Sequence, residues 1–106
     1  MTGEILRQTA LDRLRNIQRL SREVNGLAGT PHDQRLLDMM RHHAEEIQEL
    51  FKTKDAHYLT EVGDLWVLCC EILLEAGAPV DATLERCLGR FEKKLTELIR
   101  ETRSNI

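Results

Sequence analysis

Apolar residues recur along this chain at helical spacing, and no alternating strand pattern is present. In the first segment Ala10, Leu14, Ile17, Leu20, Val24 and Leu27 follow one another at three or four residues and make one stripe. Arg13, Arg15, Arg19 and Arg22 lie off it. Gly26, Gly29 and Pro31 close that segment, Thr53-Lys54-Asp55 separates the second from the third, and Gly77-Ala78-Pro79 ends the third. The pattern predicts four helices. The first spans about residues 3–25. The second starts after Thr30, a capping residue with Pro31 behind it and Asp33 in capping-box register, and runs to about Phe51. The third starts near Asp55, which can cap, and ends at Gly77. The fourth starts at Asp81, another capping type, and runs to about Arg103 with the stripe Leu84, Cys87, Leu88, Phe91, Leu95, Leu98 and Ile99.

The third helix differs from the rest. Leu59, Val62, Trp66, Val67, Cys69, Cys70, Leu73 and Leu74 cover most of its circumference, so it is expected at the centre of the fold. Glu61 shares a stripe with Leu65, Leu68 and Ile72, and Asp64 stands at the edge of that face. A lone carboxylate on an apolar face is costly and needs a partner. On the second helix the apolar arc is Leu36, Met40, Ala44, Ile47, Leu50 and Phe51. Glu45 and Glu49 lie opposite it, and Glu46 lies at its border near Met39. Residues three or four apart share a helix face, so Glu46 pairs with Glu49 and Glu61 with Asp64. Three readings follow: a cation held between these acids, a salt-bridged core acid, or a plain solvated face. Four convergent carboxylates without a Cys or His make a hard oxygen site that suits Mg²⁺ best and Mn²⁺ next. The Glu-x-x-His element of di-iron bundles is missing.

Composition narrows the class. With 106 residues, a single all-α domain over 1–106 is expected. A hydrophobic content of 42% and a net charge of −3 argue against disorder. The longest uncharged apolar run, Leu65 to Cys70, is far too short for a bilayer, and Met1-Thr2-Gly3-Glu4 does not open a signal pattern. The expectation is a soluble, unsecreted, cytoplasmic protein that engages neither membrane nor nucleic acid. Cys69, Cys70 and Cys87 are an odd number without zinc spacing and read as buried reduced thiols. Residues 31–79 carry four basic and ten acidic residues, whereas 1–30 carry five and three, and 80–106 carry six and five. An acidic middle with basic ends suits a cation site beside an anionic ligand, not a nucleic-acid footprint. His43 reads as a satisfied interior histidine, His42 as a possible substrate contact, and His32 and His57 as structural. Trp66 reads as core or interface, and Met39 and Met40 as core.

Glu45-Glu46-x-x-Glu49, eleven intervening residues, then Glu61-x-x-Asp64 resembles the EExxE…ExxD signature of MazG-like, all-α nucleoside triphosphate pyrophosphohydrolases. Residues 43–50 (HAEEIQEL), 59–66 (LTEVGDLW), 77–81 (GAPVD) and 90–94 (RFEKK) are similar to family segments, so the resemblance covers about residues 31–100. The first 30 residues, read as an N-terminal helix, lie outside it. The resemblance implies a four-helix bundle-like fold working as a homodimer or tetramer, with its site near the subunit interface. It implies Mg²⁺ bound by Glu46, Glu49, Glu61 and Asp64, with Glu45 in support. It implies cleavage of an NTP or dNTP between the α- and β-phosphates to the monophosphate and pyrophosphate, as a nucleotide-pool house-cleaning activity. Lys52 and Lys54 at the helix junction, and Arg90, Lys93 and Lys94 on the fourth helix, are candidates to neutralise phosphate. Alternatives are a phosphoribosyl-ATP pyrophosphohydrolase, or a non-catalytic helical dimerisation or regulatory module on the same fold.

Overall fold

The structure is a computed structural model that describes residues 7–105. Four helices make up the described residues, with no strand among them: α1 (Gln8–Ala28), α2 (His32–Lys52), α3 (Tyr58–Glu75) and α4 (Val80–Ser104). The all-helical expectation therefore holds. The expected start of the first helix, residues 3–6, lies outside the described residues, and its end falls three residues later than the pattern suggested.

The helix ends explain the boundaries. Gly29 follows α1 at φ 69°, and Gly77 lies just beyond α3 at the same φ. There the Thr30 N–H bonds the Asn25 carbonyl and the Ala78 N–H bonds the Leu73 carbonyl, which closes each helix with a left-handed residue. Lys54 takes the left-handed position after α2, at φ 59°, and the Asp55 N–H bonds the Leu50 carbonyl. The starts differ from expectation. Thr30 does not cap α2; Pro31 precedes the helix and contributes no side-chain cap bond, so no capping box forms. Likewise α4 begins at Val80 behind Pro79, with Asp81 inside its first turn. In both places the fixed φ of proline sets the chain entering the helix. Asp55 does act at the third start, where its Oδ1 accepts the His57 N–H at 2.9 Å.

α3 is the central element, packed against each of the other three. A small core joins Leu14, Cys70 and Val80, with Val67, Leu73 and Leu74 packed on it. Leu36 and Leu68 are buried as well. The free cysteines follow the same gradient: Cys70 is buried, and Cys69 and Cys87 are half-buried. Burial pushes the Cys69 and Cys70 thiols up.

Two stripes go elsewhere. α1 buries Leu14 and Asn25, while Leu20, Val24 and Leu27 of its apolar stripe face outward, Leu27 at 85% exposure. Beyond Cys87 every α4 residue is exposed, including Leu88, Phe91, Leu95, Leu98 and Ile99. The molecule is a body of α1, α2 and α3 from which α4 projects after its first turns.

Candidate functional site

α2 and α3 form the most extensive helix pair in the molecule, joined by the turn 53–57. A T-shaped contact between Phe51 and Tyr58, centroids 5.3 Å apart, ties the two helices across that turn. The pairing sets the inner edge of α2 against the first half of α3.

At that seam lie His43, Glu61 and Asp64, whose ligand atoms come within 4.8 Å of one another. His43 Nδ1 is hydrogen-bonded to Glu61 Oε2. His57 Nε2 lies 3.7 Å from Glu61 Oε1, one turn back on the same chain segment. Glu61 is only 16% exposed in its side chain, as the apolar stripe around it requires, while Asp64 opens to solvent. The carboxylate thus has its partner, and the partner is a histidine. The sequence offered acids of α2 joined to Glu61 through a cation, or a salt-bridged core acid; the group bonded to Glu61 here is His43, read from the sequence as a satisfied interior histidine. Of the five sequence-selected acids only Glu61 and Asp64 belong to the group.

Glu45, Glu46 and Glu49 are exposed on α2. His43 is three residues before Glu46, so the two are neighbours on the helix surface, but His43 is on the inner side. An imidazole can donate to Glu61 where another carboxylate would repel it, so the geometry favours His43 inside and the acids outside. Glu49 instead approaches Lys52 at 3.6 Å, with both side chains largely in solvent. Such a pair contributes little. Lys54 sits in the turn. Arg90, Lys93 and Lys94 line a shallow depression on α4 together with Phe91 and Glu97, separate from the α2–α3 seam. Beside the seam, a shallow open depression of ≈ 670 Å³ runs along α2, past Met39, His42, His43 and Glu45 with Arg35 and Arg41 at its rim. His42 and His43 meet edge to face there, centroids 6.1 Å apart.

A second polar cluster was not anticipated. The first half of the apolar stripe of α1 packs through Leu14, but past it α1 docks on the body through Gln18, Ser21, Arg22 and Asn25. Gln18 donates to Glu75 Oε2 at 2.6 Å, and the Arg22 guanidinium grips both oxygens of Glu75. Asn25 Nδ2 donates to His32 Nδ1 at 2.8 Å. Ser21 bonds Glu71, which is only 3% exposed. Burial drives the Glu71 carboxyl up, against the Ser21 bond and the nearby His32, and Glu75 adds to the rise. Burial alone would raise Glu75 as well, but the Arg22 and Gln18 bonds win and hold it below the usual range. Glu71 Oε2 and His32 Nε2 are buried without a hydrogen-bond partner among the described residues. The signal was present: Gln18, Ser21, Arg22 and Asn25 recur at helical spacing, in register with two acids four apart on α3.

The chain matches no family model, no curated protein and no solved structure.

Proposed function

We propose that this chain is a Mg²⁺-dependent nucleoside triphosphate pyrophosphohydrolase of the MazG-like kind, which converts an NTP or dNTP to its monophosphate and pyrophosphate. One observation carries the reading. The α2–α3 pairing sets both acids of Glu61-x-x-Asp64 beside the helix that bears Glu45-Glu46-x-x-Glu49, with the ligand atoms of His43, Glu61 and Asp64 within 4.8 Å.

The donor set fits a hard divalent cation, because carboxylate oxygens dominate it and no thiol takes part. Glu61 and Asp64 would hold Mg²⁺ from α3, with Glu46 and Glu49 from α2 and Glu45 in support. Bound there, the cation offsets the repulsion between these acids and a polyanionic triphosphate and polarises the phosphoryl group. The chain's own groups do the rest. His43 fixes the orientation of Glu61 through the bond to Oε2, a positioning role. Glu46 or Glu49, both exposed on α2, would accept the proton of the attacking water. Lys52 and Lys54 lie near enough in sequence to draw pyrophosphate away. The reading places the protein in the cytoplasm with the nucleotide pool, working as a homodimer.

Glu61→Gln tests the assignment, since it keeps the shape and removes the charge. Mg²⁺-dependent turnover is expected to fall by at least about 100-fold, the scale on which single charge-stabilising groups act. Full turnover in that variant contradicts the assignment.

A further inference from the structure

The group bonded to Glu61 carries a nitrogen ligand, and that bears on which ions the seam takes. His43 stands two residues before Glu45, outside the acidic signature. Among the described residues one trio of His, Cys, Asp or Glu side chains brings its ligand atoms within 4.8 Å of one another, and it is His43, Glu61 and Asp64. It draws one ligand from α2 and two from α3. Glu45, Glu46 and Glu49 do not join it; they are exposed on α2. A further imidazole stands close by, with His57 Nε2 3.7 Å from the other carboxylate oxygen, Glu61 Oε1.

Burial orders the trio. The His43 and Glu61 side chains are 19% and 16% exposed, so packing already restricts both and an ion need not order them. Asp64 is exposed, which leaves the trio open to an ion from solvent. The bond between His43 Nδ1 and Glu61 Oε2 holds a proton between two atoms that are both metal ligands. A cation that displaces this proton leaves neither atom unsatisfied.

Ions differ in what they gain from such a set. Mg²⁺ takes oxygen ligands, keeps several waters and has little use for imidazole. Zn²⁺ accepts imidazole and carboxylate together, and three protein ligands with one open position are enough for it. We propose that the seam is also a Zn²⁺ site, with His43 Nδ1, Glu61 and Asp64 as its ligands, and that Zn²⁺ bound there shuts out Mg²⁺. The Zn²⁺ site stands without the catalytic reading; the inhibition of turnover rests on it. Glu61 and Asp64 belong to both ligand sets, so one ion excludes the other. A four-coordinate Zn²⁺ leaves one position open, where octahedral Mg²⁺ keeps several for phosphate oxygens and water. Zn²⁺ should therefore stop the reaction, not support it.

Calorimetric titration of the metal-free full chain with Zn²⁺, and separately with Mg²⁺, tests the site. Wild-type protein is expected to bind Zn²⁺ at micromolar concentration or below. His43→Ala should weaken Zn²⁺ by more than about 100-fold, beyond the 10–100-fold that loss of a merely orienting group costs, while Mg²⁺ stays within that range. Glu61→Gln should weaken both ions. Equal weakening of the two ions in His43→Ala leaves His43 a positioning residue and overturns the proposal. Zn²⁺ binding that survives Glu61→Gln, or no Zn²⁺ binding by the wild type, overturns it as well. A measurement on wild-type protein covers a His43→Ala chain that fails to fold. Zn²⁺ should shift the NMR resonance of the His43 Nδ1 nitrogen to a metal-bound value, and an unmoved resonance overturns the proposal.

Inhibition has its own readout. Zn²⁺ in excess over sites should abolish Mg²⁺-dependent turnover, and a Zn²⁺-selective chelator should restore it. Turnover indifferent to bound Zn²⁺ overturns the exclusion of Mg²⁺. Zn²⁺ held by His43 in a protein that hydrolyses no nucleotide supports the Zn²⁺ site and counts against the catalytic reading alone. Mg²⁺-dependent turnover without any Zn²⁺ binding overturns the Zn²⁺ site and leaves the catalytic reading standing.

Discussion

Glu71 and Glu75 stand one helical turn apart on α3 and answer burial in opposite ways. Glu71 is raised, because desolvation outweighs its Ser21 bond, and Glu75 is lowered, because Arg22 and Gln18 outweigh desolvation. The folded state therefore keeps the Glu71 proton to higher pH than the unfolded chain does. Its stabilising contribution is present below the ordinary carboxylate range and is lost as pH rises through the raised native value. Glu71→Gln should then raise the melting temperature at pH 7, and the gain should vanish at about pH 4. Glu75 runs the other way: its contribution is present above the ordinary range and is lost as pH falls through the depressed native value. Glu75→Gln should lower the melting temperature at pH 7, and the deficit should shrink on acidification. Thermal melts of both variants across pH check the two signs together. At the seam, His43→Ala should raise the Mg²⁺ concentration needed for half-maximal turnover by about 10–100-fold, since Glu61 loses the group that orients it. Glu61 was legible in the sequence as a single acid on an apolar stripe. Glu71, between Cys70 and Ile72, carries the same signal, but the acidic signature drew the reading toward Glu61. His43 was legible as an interior histidine, and it is one; that Glu61 would be its partner was not legible, because a single helix's pattern does not say which residue of the next helix it meets.

At the scale of the elements, four helices and the breakers between them follow from spacing and from glycine and proline. The helix starts were harder to read. Thr30 and Asp81 have capping chemistry, but proline stands beside each and sets the entry instead. The helix ends give a matched test. Gly77 occupies the left-handed region at φ 69°, so Gly77→Ala should cost about 1 kcal/mol. Lys54 occupies it with a side chain, so Lys54→Gly should gain a similar amount, about 1 kcal/mol. Urea melts read both, and opposite signs are the expected result. α1 holds the wider lesson. Its periodic stripe identified a helix and the burial of Leu14, but not the polar seam by which Gln18 and Arg22 meet Glu75 while Leu20, Val24 and Leu27 stay exposed. Periodicity reports that a face will be buried; it does not report against what.

The whole molecule is where a single sequence carries least. An apolar, central third helix was legible, and α3 does pack against each of the other helices. That α4 would project and leave Leu88 through Ile99 in solvent was not legible, because the same stripe would serve a closed bundle equally well. If the site lies near a subunit interface, as the resemblance implies, turnover per subunit should fall on dilution below the dimer dissociation constant, and a dilution series of initial rates reads that. The central claim, however, is the reaction itself. Its most direct test is pyrophosphate release from a panel of eight NTPs and dNTPs with Mg²⁺, with and without EDTA, using wild-type protein and Glu61→Gln side by side. The account predicts release from one or a few substrates, matched by nucleoside monophosphate, abolished by EDTA and lost in Glu61→Gln. Release from none of the eight, or release that survives both EDTA and Glu61→Gln, contradicts it.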